Sequence, residues 1–139
     1  MASSDLLGSP SDTTLPVTTA APTLSSSPTA RTAGISVTIN EAGTGYWLLV
    51  PGAATAPTSE QVVAGVNYAS VTVVRSGNTA MTAATPASIS LSGLTASTAY
   101  KLYFVAKDTA NNLQASPSSV AVTTTASTDL TPILMLLLD

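Results

Sequence analysis

The chain has no cysteine and no histidine, and among its 139 residues only four side chains are basic and seven acidic. Without cysteine there is no disulfide, no thiolate nucleophile and no thiolate-ligated metal. Without histidine the Ser–His and Cys–His nucleophilic systems are excluded, as are zinc sites of the usual kinds. Charged residues make up 8% of the chain, against roughly 25% in ordinary soluble domains. The surface is therefore expected to be neutral hydroxyl and methyl, which repels its own kind weakly and favours packing against other copies. The four cations, Arg31, Arg75, Lys101 and Lys107, form no basic patch, so nucleic acid is not an expected partner. No apolar run approaches the roughly 20 residues of a membrane span. The start, "MASSDLLGSPSD", lacks the basic and apolar regions of a secretory signal. A mature form, or export by a route that reads no N-terminal signal, fits that start. No Asn-x-Ser/Thr acceptor for N-glycosylation occurs.

What remains is Ser, Thr and Ala, punctuated by glycine, proline and short apolar alternations. Residues 1–21 read as an extended Thr/Ser/Pro-rich segment, with Pro16 and Pro22 blocking helix and central-strand roles. "GISVTIN" then alternates Ile35, Val37 and Ile39 against Ser36 and Thr38, the pattern of a half-buried strand. "NEAGTG" is a turn, and "YWLLV" follows, apolar on both faces and stopped by Pro51-Gly52. "PTSEQVVAG" is the one helical signature: Thr58 or Ser59 to cap, Glu60 and Gln61 in the first turn, Gly65 to terminate. "YASVTVVRSGNTAM" reads as a strand with Ser76-Gly77-Asn78 as its turn. "ASISLSGL" alternates Ala87, Ile89 and Leu91; "AYKLYFVAKD" alternates Tyr100, Leu102, Phe104 and Ala106 against Lys101, Tyr103, Val105 and Lys107; "SVAVTTT" closes with Val120 and Val122 inward. Seven short strands with almost no helix predict one all-β sandwich over residues 22–125. Residues 126–139 then form a linker and an apolar strand.

The stretch "LSGLTASTAYKLYFVAKDTANNLQASPSSVAVTTT" resembles the second half of a fibronectin type III repeat of bacterial surface proteins. Leu91 and Leu94, the Thr98-x-Tyr100 pair, the Asp108…Asn112 turn and the closing "VAVTTT" carry the likeness. "NEAGTGYWLLVPGAATAPTSEQVVAG" is similar to the matching stretch of such repeats, short helix included. The resemblance implies a seven-stranded fibronectin type III-like β-sandwich with extended terminal segments. In it, Tyr100 is a tyrosine corner whose hydroxyl bonds to backbone near Leu94. The strand that commonly holds the core tryptophan has none here; Trp47 sits one strand later.

Few residues could carry chemistry. Glu41 and Asp108 belong to loops that share one end of such a sandwich. With Asn40, Asn111 and Asn112 they form a weak calcium candidate, set against the simpler role of Asp and Asn as turn formers. No cofactor and no catalytic residue is expected. Lys101 and Lys107 lie opposite the core face of their strand, which argues against an isopeptide cross-link. If Tyr103 and Val105 point outward, the neighbouring apolar strand is expected to present Trp47 and Leu49 beside them. Such an aromatic patch is either a subunit interface or is covered by "PGAATAPTSEQVVAG".

The run "PILMLLL", with Ile133, Leu134, Met135, Leu136, Leu137 and Leu138 in succession, has no polar alternation. It is expected to be a strand buried on both faces, added to the sheet edge of another copy. Packing onto its own domain, or serving as an export signal, is the alternative. The sequence therefore predicts a non-enzymatic structural subunit, extracellular and at a bacterial cell surface, whose partners are copies of itself. The second expectation is an adhesion or polysaccharide-binding module with Trp47 and Tyr103 as platforms for a surface glycan.

Overall fold

The structure, a computed structural model, describes residues 12–127. Within them the chain order is β1 (Thr18–Leu24), β2 (Ala33–Ile39), β3 (Gly43–Pro51), α1 (Ser59–Ala64), β4 (Arg75–Met81), β5 (Ala87–Leu91), β6 (Ala99–Asp108) and β7 (Ser118–Thr123). The strands form two antiparallel sheets, β1-β2-β5 and β4-β3-β6-β7, as an all-β sandwich with one short helix.

Alternation of side chains builds the core between the sheets. Ile35, Val37 and Ile39 of β2 face Tyr100, Leu102, Phe104 and Ala106 of β6, joined by Ile89, Leu91, Leu94 and Val122. Most of these are fully removed from water, and each such side chain contributes roughly 1.5–3 kcal/mol of transfer free energy. The Tyr100 ring fills one end of this core, and its hydroxyl accepts a 2.9 Å hydrogen bond from the Thr95 N–H. That bond fastens the β5–β6 connection beside Leu94, as the tyrosine corner implies.

The helix forms where its caps place it. The Thr58 hydroxyl accepts from the Gln61 N–H while the Gln61 side chain accepts from the Thr58 N–H, a reciprocal capping box. Gly65 ends the helix in the left-handed region at φ 66°, which costs glycine nothing.

Three expectations are corrected. The sandwich begins at Thr18, before the boundary expected at Pro22, because part of the Thr/Pro-rich leader is β1. Pro22 is tolerated because β1 is an edge strand, and the pairing with β2 shifts register twice along it. Second, Ser76-Gly77-Asn78 is no turn: these residues pair with Leu48, Trp47 and Tyr46 in the middle of β4. Gly77 is required there because a Cβ would lie 2.8 Å from the Trp47 ring. The preceding "YASV" forms only an isolated Tyr68–Val71 bridge.

The third correction concerns parity in β3. Trp47 pairs with Phe104 and Leu49 with Leu102, so both point into the core rather than outward. Tyr46, Leu48 and Val50 take the outer face beside Tyr103 and Val105. A strand apolar on both faces carries no alternation from which parity can be read.

Candidate functional site

The outer face of β3 and β6 is a second core rather than an open patch. Leu48, Val50, Tyr103 and Val105 pack against Val62 of α1 and against Tyr68 and Val71 of the β3–β4 connection. Val105, Leu48 and Val50 are fully buried and Tyr103 is 7% exposed. The chain's own crossover therefore covers the face where an interface was expected. Lys101 and Lys107 close its two ends, their ammonium groups 6.0 Å from the Tyr103 ring centre and 5.8 Å from that of Tyr46. The Tyr68 hydroxyl donates to the Thr55 carbonyl and pins the crossover from within. Burial, then Tyr103, raises the Tyr68 pKa, so that hydroxyl stays a donor. Of the four residues expected at a subunit contact, Trp47 and Leu49 serve the first core, and Tyr103 and Val105 the second. Tyr103 is buried under the crossover, whereas Trp47 is partly buried against the first core.

The acidic end of the sandwich brings together more than the sequence suggested. Carboxylate oxygens of Asp12, Glu41 and Asp108 lie within 4.8 Å of one another. Asp12 was not foreseen, because it belongs to the leading segment. That segment is held by three amide side chains. Asn112 Nδ2 donates to the Asp12 carbonyl at 2.8 Å, Asn40 Oδ1 accepts from the Val17 N–H at 2.8 Å, and Gln114 Nε2 donates to the Pro16 carbonyl at 3.0 Å. Gln114 Oε1 also accepts from the Ala106 N–H at 2.8 Å, so one residue ties leader, turn and β6 together.

Of the expected set Glu41, Asp108 and Asn111, Asp108 and Asn111 build the turn that follows β6. Asp108 Oδ1 accepts from the Ala110 and Asn112 N–H groups, and Oδ2 from Asn112 Nδ2, all at 2.9 Å. Asn111 occupies the left-handed region at φ 70°, where Asn is among the better-tolerated residues. The hydrogen bond from the Asn112 side chain, then those from the backbone, hold the Asp108 carboxyl below its ordinary value against the opposing effect of burial. Glu41 is pushed up by desolvation first, then by Asp108 and Asp12. Three acids brought this close could take a cation, but a calcium ion asks for 6–8 oxygens, and both Asp108 oxygens already accept N–H donors.

The remaining surface of note is the side of the sandwich where β7, the last strand of its sheet, lies beside β1. β7 pairs with β6 in unbroken register from Ser118 to Thr123. It carries no proline and no charge. At its leading end a groove of about 360 Å³ runs between Leu15–Thr18 and Gln114–Ser118. Leu15 and Val17 on its rim are 41% and 53% exposed, two of the few large apolar side chains open to solvent among the described residues. The other named interface residues, Ile133 to Leu138, lie outside the described residues. Among the described residues no helix is long and apolar enough to cross a membrane.

No family model, no curated protein and no solved structure matches the chain.

Proposed function

We propose that this chain is a non-enzymatic structural module of the fibronectin type III kind. In this reading it self-assembles into an extracellular filament or surface array of bacteria by strand addition between copies. The sheet order β1-β2-β5 against β4-β3-β6-β7, with the corner bond at Tyr100, supports the module class. The observation that carries the assembly is the contrast between two parts of one chain. The described domain covers its own apolar outer face, whereas Ile133–Leu138 is a run of six large apolar residues with no polar partner face in sequence. Burying five or six such side chains is worth roughly 1.5–3 kcal/mol each before ordering costs. An extended segment gains its backbone hydrogen bonds by joining a sheet edge.

The low charge of the chain supports close packing of copies. The assembly is driven by the apolar run alone, since Trp47, Leu49, Tyr103 and Val105 are occupied inside the fold. The adhesion alternative is less supported, because Tyr103, one of its two platforms, is buried.

Negative-stain microscopy of the whole chain tests this reading. Fibres or regular arrays are expected, and they should disappear when residues 132–139 are deleted while the far-UV spectrum is unchanged. A deleted chain that still assembles, or a whole chain that stays monomeric and is retarded on a glycan column, overturns it.

A further inference from the structure

Before β1 begins, residues 12–17 cross the acidic end of the sandwich as a strap. Of its side chains only that of Pro16 is buried, so hydrogen bonds rather than core packing hold it. Asn112 Nδ2 donates to the Asp12 carbonyl at 2.8 Å, and Gln114 Nε2 to the Pro16 carbonyl at 3.0 Å and the Thr18 hydroxyl at 2.9 Å. Next to β1, Val17 and Asn40 make a reciprocal pair. The Val17 N–H donates to Asn40 Oδ1 at 2.8 Å, and the Asn40 N–H to the Val17 carbonyl at 2.9 Å. A segment tied by a few hydrogen bonds near the surface opens at far lower free energy than the core strands behind it.

The strap's one charged residue works against this docking. Asp12 is set beside Glu41, in the turn between β2 and β3, and Asp108, at the end of β6, with carboxylate oxygens within 4.8 Å of one another. The four cations are engaged elsewhere. Lys107 lies over the Tyr46 ring and Lys101 over that of Tyr103, while Arg31 and Arg75 donate to the Leu94 and Gly93 carbonyls. Asp108 keeps its charge, because Asn112 and the Ala110 N–H donate to it from within its own turn. Those donors remain whether or not the strap is docked. Glu41 is the group that yields: desolvation first, then Asp108 and Asp12, push its carboxyl above the ordinary range.

We infer that residues 12–17 form a strap docked against the repulsion of its own Asp12, so that acid or salt closes it and neutral, low-salt solution loosens it. Linkage gives the sign for acid. Asp12 arrives with the strap, so Glu41 binds its proton more tightly with the strap docked than released, and the proton favours docking by the same factor. Protonation also turns Glu41 from an acceptor into an O–H donor beside two carboxylates. As pH rises through the folded Glu41 value, that contribution is lost. Salt acts without any proton, by screening the like charges. Release breaks the Val17–Asn40 pair just ahead of the Thr18–Ile39 pairing, and opens the groove that the strap forms with Gln114 to Ser118. The device belongs to the single chain and does not depend on the self-assembly reading.

Amide hydrogen exchange on the whole chain, followed by NMR and corrected for the intrinsic pH dependence of exchange, tests it. Val17 and Asn40 report on the strap, and Leu102 in β6 is the internal reference. At about pH 7 and about 0.01 M salt, protection of Val17 and Asn40 relative to Leu102 should be several-fold lower than at about pH 4, or at about pH 7 in 1 M salt. Asp12→Asn keeps an oxygen for the Thr14 N–H but removes the charge, and should be protected alike in all three conditions. Glu41→Gln should lose most of the acid response. A parent indifferent to both acid and salt overturns the inference. So does an Asp12→Asn chain that responds as the parent does, or a Val17 amide without protection in any condition.

Discussion

Leu48 separates two views of the outer sheet face, and its truncation has a calculable cost. Leu48 is fully buried in the second core, under α1 and the Tyr68–Val71 bridge. Leu48→Ala removes three carbon groups, about 0.8 kcal/mol each in transfer, or about 2.4 kcal/mol. A cavity adds to this, and large-to-small core changes of this kind cost 2–5 kcal/mol in total. The cover above Leu48 is a two-turn helix and an irregular connection, which can settle inward further than a sheet can. The loss should therefore fall in the lower half, about 2–3 kcal/mol. With a urea m-value of about 1–3 kcal/mol/M, the midpoint falls by about 0.7–3 M with the slope unchanged. Circular dichroism together with Trp47 fluorescence reads both sheets in one titration. An unchanged midpoint would mean the crossover does not seal this face in solution, and the second core as described would be wrong.

Tyr100→Phe keeps the ring in the core but removes the acceptor of the Thr95 N–H. A loss of about 1–2 kcal/mol is expected in the same titration, less than for a core truncation because Thr95 lies at the surface and its N–H can partly rehydrate. Glu41 and Asp108 give opposite pH signatures. The raised Glu41 holds more protons folded than unfolded, so its contribution is full at low pH and is lost as pH rises through its folded value. The lowered Asp108 contributes above the ordinary carboxylate range, and that stability disappears as pH falls through its folded value. Glu41→Gln should therefore raise the melting temperature at pH 7 relative to the parent and make little difference near pH 3. A parent advantage at pH 7 would show that the three carboxylates do not strain one another.

Alternation made β2, β5, β6 and β7 legible, and the caps at Thr58 and Gly65 located the helix. β1 was hidden because Thr, Ala and Pro22 give no period, and an edge strand needs little apolar content. β4 was misread because Ser76-Gly77-Asn78 has turn chemistry, while the real demand on Gly77 is the Trp47 ring, a contact from another strand. The parity of β3 was unreadable for want of polar residues. That one ambiguity exchanged Trp47 and Leu49 for Leu48 and Val50, and with them a supposed interface for an interior. At the acidic end, Asp108 and Glu41 were visible as loop neighbours. Asp12 was not, since only the folded path of the leader, held by Asn112 and Gln114, brings it there.

The central claim is that the Ile133–Leu138 run joins copies. Sedimentation velocity over a concentration series, on the whole chain and on residues 1–131, addresses it most directly. The whole chain should sediment progressively faster as concentration rises, while the shortened chain holds the coefficient of a compact monomer throughout. Coincident curves for the two chains would contradict the account.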